Sequence, residues 1–239
     1  MEPVLNEGPF PSPEHQPRWA LGDVALGFLA AIFNVAVAQA VWVGVTGDDD
    51  VSLGLTIVSF LAYWPVLVGT TVIASRRRGT GSLAHDMGLR VEKGDILPGV
   101  LTGLASQFVL LPLLYLPFEL LNGNLDVSEK AEETLGVASG RSLLLLAVLV
   151  IAVAPVVEEL FFRGLLQRTL AQRVPPLAAI GISGLVFGVT HFQPIQLLGL
   201  VAFGWVLGTL AQRAGRLGPS LVAHMTFNAA SVVVIVLWP

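Results

Sequence analysis

Two adjacent glutamates stand where charge is expensive, in the stretch Ala154-Pro155-Val156-Val157-Glu158-Glu159-Leu160-Phe161-Phe162-Arg163-Gly164. A charged side chain at the middle of a bilayer costs ~2.5–3.5 kcal/mol even on the lenient insertion scale, so acids and bases in an apolar run point to function. On a helix, Glu159 and Arg163 are four apart and share a face, with the glutamate on the amino-terminal side, the favourable order for an ion pair. Glu158 is turned about 100° away and has only Phe162 four residues on. It has no local counter-charge. A carboxylate left free in this way can take a proton from water, which is the work of a general base.

Two further pairs lie on apolar runs. Phe187 and His191 are four apart, as are His224 and Asn228, so each pair follows one helix face. The other histidines, His15 and His85, fall outside the apolar runs. Two histidines and an asparagine thus join an unpaired glutamate on apolar helices, and this clustering points to a shared site rather than to separate structural residues. Glu158, His191 and His224 could alternatively bind zinc, but there is no His-Glu-x-x-His to preorganise the ion, and a metal-free glutamate mechanism is favoured. With no cysteine, thiol nucleophiles, disulfides and Cys-based metal sites are excluded.

The elements that must position these residues are membrane helices. In 239 residues, 54% are hydrophobic and 13% charged, and the mean hydropathy is +0.76. That composition describes an all-α polytopic transmembrane helical bundle. The net charge of −4 gives no basic stripe for phosphates, so no nucleic acid is expected as a partner. Apolar runs fall at Trp19 to Val45, Val51 to Ala74, Ile96 to Leu121, Leu143 to Leu170, Pro176 to Phe192, Ile195 to Ala211 and Gly218 to Trp238. At ~1.5 Å per residue most can cross a ~30 Å hydrocarbon core, the fifth and sixth being marginal. Seven membrane helices are expected, or eight if the fourth run breaks in two. Residues 1–18, with five prolines among polar residues, read as a disordered tail. It lacks the basic start of a cleaved signal peptide. Residues 19–142 then hold the amino-terminal membrane helices and 143–239 the helices that carry the candidate site, within one membrane domain.

Positive residues fix the expected orientation. Arg76, Arg77, Arg78, Arg90 and Lys93 crowd the link between the second and third runs, which should be cytoplasmic. Alternation then puts Arg168, Arg173, Arg213 and Arg216 on the same side, Asp48, Asp49 and Asp50 on the other, and the amino terminus in the cytoplasm. Asp23 and Glu119 lie near run ends and read as interfacial. A hairpin turning near Val174 and Pro175 would bring Glu158 and His191, each about sixteen residues from the turn, to one depth. His224, eight residues after Arg216, should lie nearer the cytoplasmic face unless the link at Gly215 to Pro219 enters the bundle. Gly184 with Gly188, and Gly204 with Gly208, are spaced for close helix packing.

Glu-Glu-x-x-x-Arg at Glu158, Glu159 and Arg163, Phe-x-x-x-His at Phe187 and His191, and His-x-x-x-Asn at His224 and Asn228 resemble the three ordered motifs of the CPBP intramembrane proteases. That family groups type 2 CAAX prenyl proteases with bacteriocin-processing and Abi-type immunity proteins. The resemblance covers about Leu143 to Trp238. It implies an endopeptidase of the cell membrane that cleaves a peptide or lipidated protein amid membrane lipids. Glu158 would activate the water, His191 help position it, and His224 and Asn228 stabilise the oxyanion. Glu159, Arg163 and Phe187 would support them.

Two other readings compete. Gly181-Ile182-Ser183-Gly184 resembles the serine motif of rhomboid proteases, with His224 as base, though the His-x-x-x-Asn motif here follows the serine. Alternatively Glu158, His191 and His224 could form a relay in a non-enzymatic immunity protein or a proton-coupled transporter.

Overall fold

The computed structural model describes residues 19–47, 49–122 and 129–237. The tail expected over residues 1–18, and also Asp48, Trp238 and Pro239, lie outside the described residues. Among the described residues every regular element is helical: α1 (Leu21–Thr46), α2 (Leu53–Arg78), a short α3 (Leu83–Asp86), α4 (Lys93–Leu121), α5 (Glu129–Gly136), α6 (Arg141–Ala171), α7 (Pro176–Val189), α8 (Leu197–Ala214) and α9 (Gly218–Leu237). Six of them, α1, α2, α4, α6, α8 and α9, are long and apolar enough to cross a membrane.

The count of seven to eight crossings needs adjustment at two places. The fourth run does not break: α6 is one 31-residue helix. The fifth run yields α7, only 14 residues, about 21 Å of helix. Hydropathy continues through Phe192, but Pro194 disfavours helical backbone at Gln193 and cannot itself extend the helix. Phe192 takes a left-handed φ of 52°, and the chain leaves the helix as a polar link.

Prolines also shape α4 and α6. A proline has no N–H to give the carbonyl behind it, and its ring crowds that carbonyl, so the preceding turn widens. In α6 the turn Leu149–Val153 is a π-turn: Ala154 N–H reaches back five residues to Leu149 O, and Pro155 has nothing to give Val150 O. In α4 the turn Ser106–Leu110 does the same, Leu111 donating to Ser106 O ahead of Pro112. A second wide segment, Glu159–Gln167, carries the predicted ion pair.

The α6–α7 hairpin turns at Arg173 and Val174, whose N–H groups both return to Leu170 O. Helices α7 and α8 approach backbone to backbone. A Cβ on Gly204 would sit 2.9 Å from the Gly184 Cα, so the expected glycine packing is real and leaves no room for a larger residue. The buried aromatic residues Phe162, Phe187 and Phe203 lie between α6, α7 and α8, and Phe161 of α6 stacks on Phe28 of α1.

The basic clusters collect at one end of the bundle. Arg78 pairs with Asp23 at 2.6 Å, and Arg173 donates to Trp19 O. Arg168 donates to Asp86 O and Gly215 O, and Arg216 pairs with Asp95 at 2.6 Å and with Glu92 at 3.1 Å. The α8–α9 link is drawn into this network, Leu217 N–H donating to Gly88 O, with Leu217, Gly218 and Ser220 buried. Asp86 caps the same end. Burial pushes its carboxyl up, but hydrogen bonds from the Ser75 hydroxyl and from the backbone and hydroxyl of Thr80 outweigh this and hold it below the usual carboxylate range.

Candidate active site

Helix α6 builds one wall of a cavity of about 360 Å³ with the ladder Val150, Ala154, Glu158 and Phe162, each one turn from the next. Opposite stand His224, Asn228 and Ser231 of α9, Phe203 of α8, and Phe187 of α7 with His191 just beyond its end. Glu158, His191, His224 and Asn228 thus line one space, as does Phe187. Glu159 and Arg163 lie behind the wall with fully buried side chains.

The neighbouring glutamates have different surroundings. Arg163 Nη1 donates to Glu159 Oε1 at 3.0 Å, the i,i+4 pair read from the sequence. The same oxygen lies 3.1 Å from His224 Nδ1. A carboxylate of this kind only accepts, so Nδ1 carries the hydrogen and the imidazole is fixed with Nε2 toward Glu158. There Nε2 stands 3.6 Å from Glu158 Oε2, within ion-pair distance but beyond a hydrogen bond. The Glu158 side chain keeps 13% exposure, while Glu159 has none. One acid is committed to structure; the other faces the cavity.

Arg163 is held on three sides. Its Nη2 donates to Gly204 O at 3.2 Å, and its guanidinium sits 4.4 Å from the Phe187 ring centroid. One turn on, Gln167 Nε2 donates to Gly208 O at 2.9 Å. Two glycines one turn apart on α8 therefore receive two donors one turn apart on α6. A Cβ at Gly208 would meet Gln167 Oε1 at 2.7 Å.

Phe187 is the hub of the aromatic contacts. Its ring meets His191 edge-on at 4.7 Å between centroids, His224 at 5.7 Å and Phe162 at 5.3 Å. His191 Nδ1 lies 2.8 Å from Phe187 O, and since a carbonyl only accepts, Nδ1 holds the hydrogen and Nε2 is left for other partners. Asn228 Nδ2 donates to Val150 O at 2.8 Å, the carbonyl that Pro155 cannot serve. That bond uses one of the two amide hydrogens and ties α9 to the widened turn of α6.

Among the described residues no group of three or more His, Cys, Asp or Glu side chains is disposed to hold a metal ion. Ser183 is buried, donates to Phe162 O at 2.9 Å and does not line the cavity. His224 reaches the cavity because the α8–α9 link enters the packed end of the bundle.

Sequence reasoning missed the contribution of α2. Phe60, Tyr63 and Trp64 close the cavity from that side. Tyr63, Phe60, Thr134, Thr190 and His191 also line a second space of about 340 Å³ between α1 and α2. A polar tyrosine in an apolar run was the available signal. The proline in α6 was the signal for an orphaned carbonyl, and so for Asn228.

Residues 140–230, which carry all three motifs, match the family model described as type II CAAX prenyl endopeptidase Rce1-like. No curated protein and no solved structure matches the chain.

Proposed function

With residues 140–230 matching the type II CAAX prenyl endopeptidase model and set in a multi-pass helical bundle, we propose that the chain hydrolyses a peptide bond with Glu158 as general base. Glu158 takes a proton from a water in the cavity while the water oxygen attacks the substrate carbonyl. His191 Nε2 positions that water. The oxyanion is met by the remaining amide hydrogen of Asn228 and, when the His224 ring carries a hydrogen on both nitrogens, by His224 Nε2–H. Collapse returns the proton from Glu158 to the leaving nitrogen. Glu159 accepts from His224 Nδ1–H and so turns Nε2 to the cavity, and Arg163 neutralises Glu159, so that pair orients the site without touching substrate.

The observation that carries this reading is the split between the two glutamates, one bound by Arg163 and His224 Nδ1, the other facing the cavity with His224 Nε2 at ion-pair distance. The experiment is hydrolysis of membrane-associated peptides by purified protein. Glu158→Gln should lose activity by ~10²–10⁴, the usual worth of a general base, while the bundle stays folded. Ser183→Ala should keep kcat. Activity should survive chelators. Restoration by stoichiometric zinc after 1,10-phenanthroline, with metal lost from His191→Ala and His224→Ala, would refute the metal-free mechanism.

A further inference from the structure

The cavity occupies one half of the bundle, the half away from the basic end. On α2 it is lined by Phe60, Tyr63 and Trp64 in the first part of the helix, whereas Arg76 to Arg78 close the last turn. On α6 it runs from Val150 to Phe162, before Arg168; on α8 it takes Leu200 and Phe203, before Arg213, with Gln196 just ahead of the helix. On α9 it extends from His224 on to Ile235, away from Arg216. The second space follows the same rule, using Ile32 to Gln39 of α1, Val51 ahead of α2 and Leu55 to Tyr63 of α2.

The two ends differ in kind. At the basic end the links are tied together: Met87, Leu217 and Ser220 are buried, and Arg168 and Arg216 knit α3, α4, α6 and the α8–α9 link together. At the far end α7 stops early. Its ~21 Å leave it roughly 10 Å short of spanning the hydrocarbon core. The link after it, with Thr190, His191, Gln193 and Gln196, is irregular and polar. Backbone of that kind at membrane depth is tolerated only in protein or at a water-filled recess. Thr190, His191, Gln193 and Gln196 all line the cavity, so the recess is its mouth.

Nine of the thirteen lysines and arginines sit at the packed end. The cation bias that sets topology in membranes assigns that end to the cytoplasm. We infer that the active-site cavity is entered from the non-cytoplasmic face of the membrane, and that its substrate is an apolar segment of a membrane-anchored polypeptide exposed on that side. A carboxy-terminal tail presented from the cytosol would meet the end that Arg168 and Arg216 tie together. The inference rests on the protease reading and adds the side and the class of substrate.

The absence of cysteine gives the test a clean background. Single cysteines are placed at the mouth and within the cavity (Gln193→Cys, Ser231→Cys), beyond the far end (Asp49→Cys) and at the basic end (Arg77→Cys, Arg213→Cys). Intact cells are treated with a membrane-impermeant maleimide. Labelling of the first three without permeabilisation, and of the last two only after it, is the expected result. Labelling of Gln193→Cys and Ser231→Cys only after permeabilisation, or from neither face, overturns the inference. In parallel, one apolar reporter segment is displayed on either face of a single membrane anchor. Cleavage on the non-cytoplasmic face supports the inference. Cleavage on the cytoplasmic face alone overturns it and leaves the protease reading standing. Cleavage on neither face, with the labelling pattern intact, removes the protease reading on which the substrate class depends.

Discussion

Replacing Arg163 by alanine removes three contacts at once: the 3.0 Å bond to Glu159, the 3.2 Å bond to Gly204 O and the guanidinium over the Phe187 ring. Breaking one side of a buried ion pair costs ~3–5 kcal/mol, because the other charge is left without compensation. Glu159 still accepts from His224 Nδ1, which places that cost near the lower end. The desolvated cation–π contact adds ~2 kcal/mol. The Gly204 carbonyl keeps its helical partner and adds little. A loss of about 5 kcal/mol follows, and at ~2–4 °C per kcal/mol for a chain of this size the midpoint should fall by ~10–20 °C. The assay is thermal unfolding in detergent, followed by tryptophan fluorescence, with recovery of monodisperse protein as a second readout. Glu159→Gln combined with Arg163→Met should regain part of the loss, since neither charge is then stranded. An Arg163→Ala midpoint within about 2 °C of wild type, less than 1 kcal/mol on that scale, would show that the pair carries no such energy, and the reasoning would fail.

Asn228→Ala should lower kcat by ~10²–10³ with little change in KM, and should also cost ~1–3 kcal/mol of stability by orphaning the Val150 carbonyl. Adding Pro155→Ala restores a backbone N–H to that turn, so the double variant should recover stability but not kcat; recovery of both would reduce Asn228 to a structural tie. Asp86 titrates below its ordinary value in the folded chain, so its stabilising contribution is complete above the unfolded pKa of ~3.9 and is lost as pH falls through the lower folded value. Asp86→Asn should unfold more easily at pH 7 and show a flatter loss of stability below about pH 4 than wild type; parallel pH profiles for the two proteins would contradict this.

What was legible in the sequence was local. Hydropathy located the helices because a lipid-facing run announces itself residue by residue, and the i,i+4 rule placed Glu159 against Arg163 because both stand on one helix. The hairpin at Val174 was readable from a basic, proline-bearing break between two apolar runs. The early end of α7 was less so, since apolar residues continue past the point where Pro194 and the left-handed Phe192 stop the helix. The second partner of Glu159 could not be read at all. His224 is 65 residues away and reaches that carboxylate only because the α8–α9 link docks through Arg216 on Asp95 and Leu217 on Gly88.

The same distinction separates the two roles open to Asn228. Its spacing from His224 is a one-helix fact, and placed both on one face. Its bond to Val150 depends on a defect in another helix: Pro155 removes a donor, the turn from Leu149 to Val153 widens, and a carbonyl is freed toward the cavity. A buried carbonyl must be paired, so the defect selects a donor at that height on α9. An amide has two hydrogens, which lets one asparagine close the defect and still present a donor to an oxyanion. A serine would have a single hydrogen to divide between the two tasks, and an aspartate none. The residue type is thus dictated jointly by a proline 73 positions earlier and by the charge that develops on a substrate carbonyl.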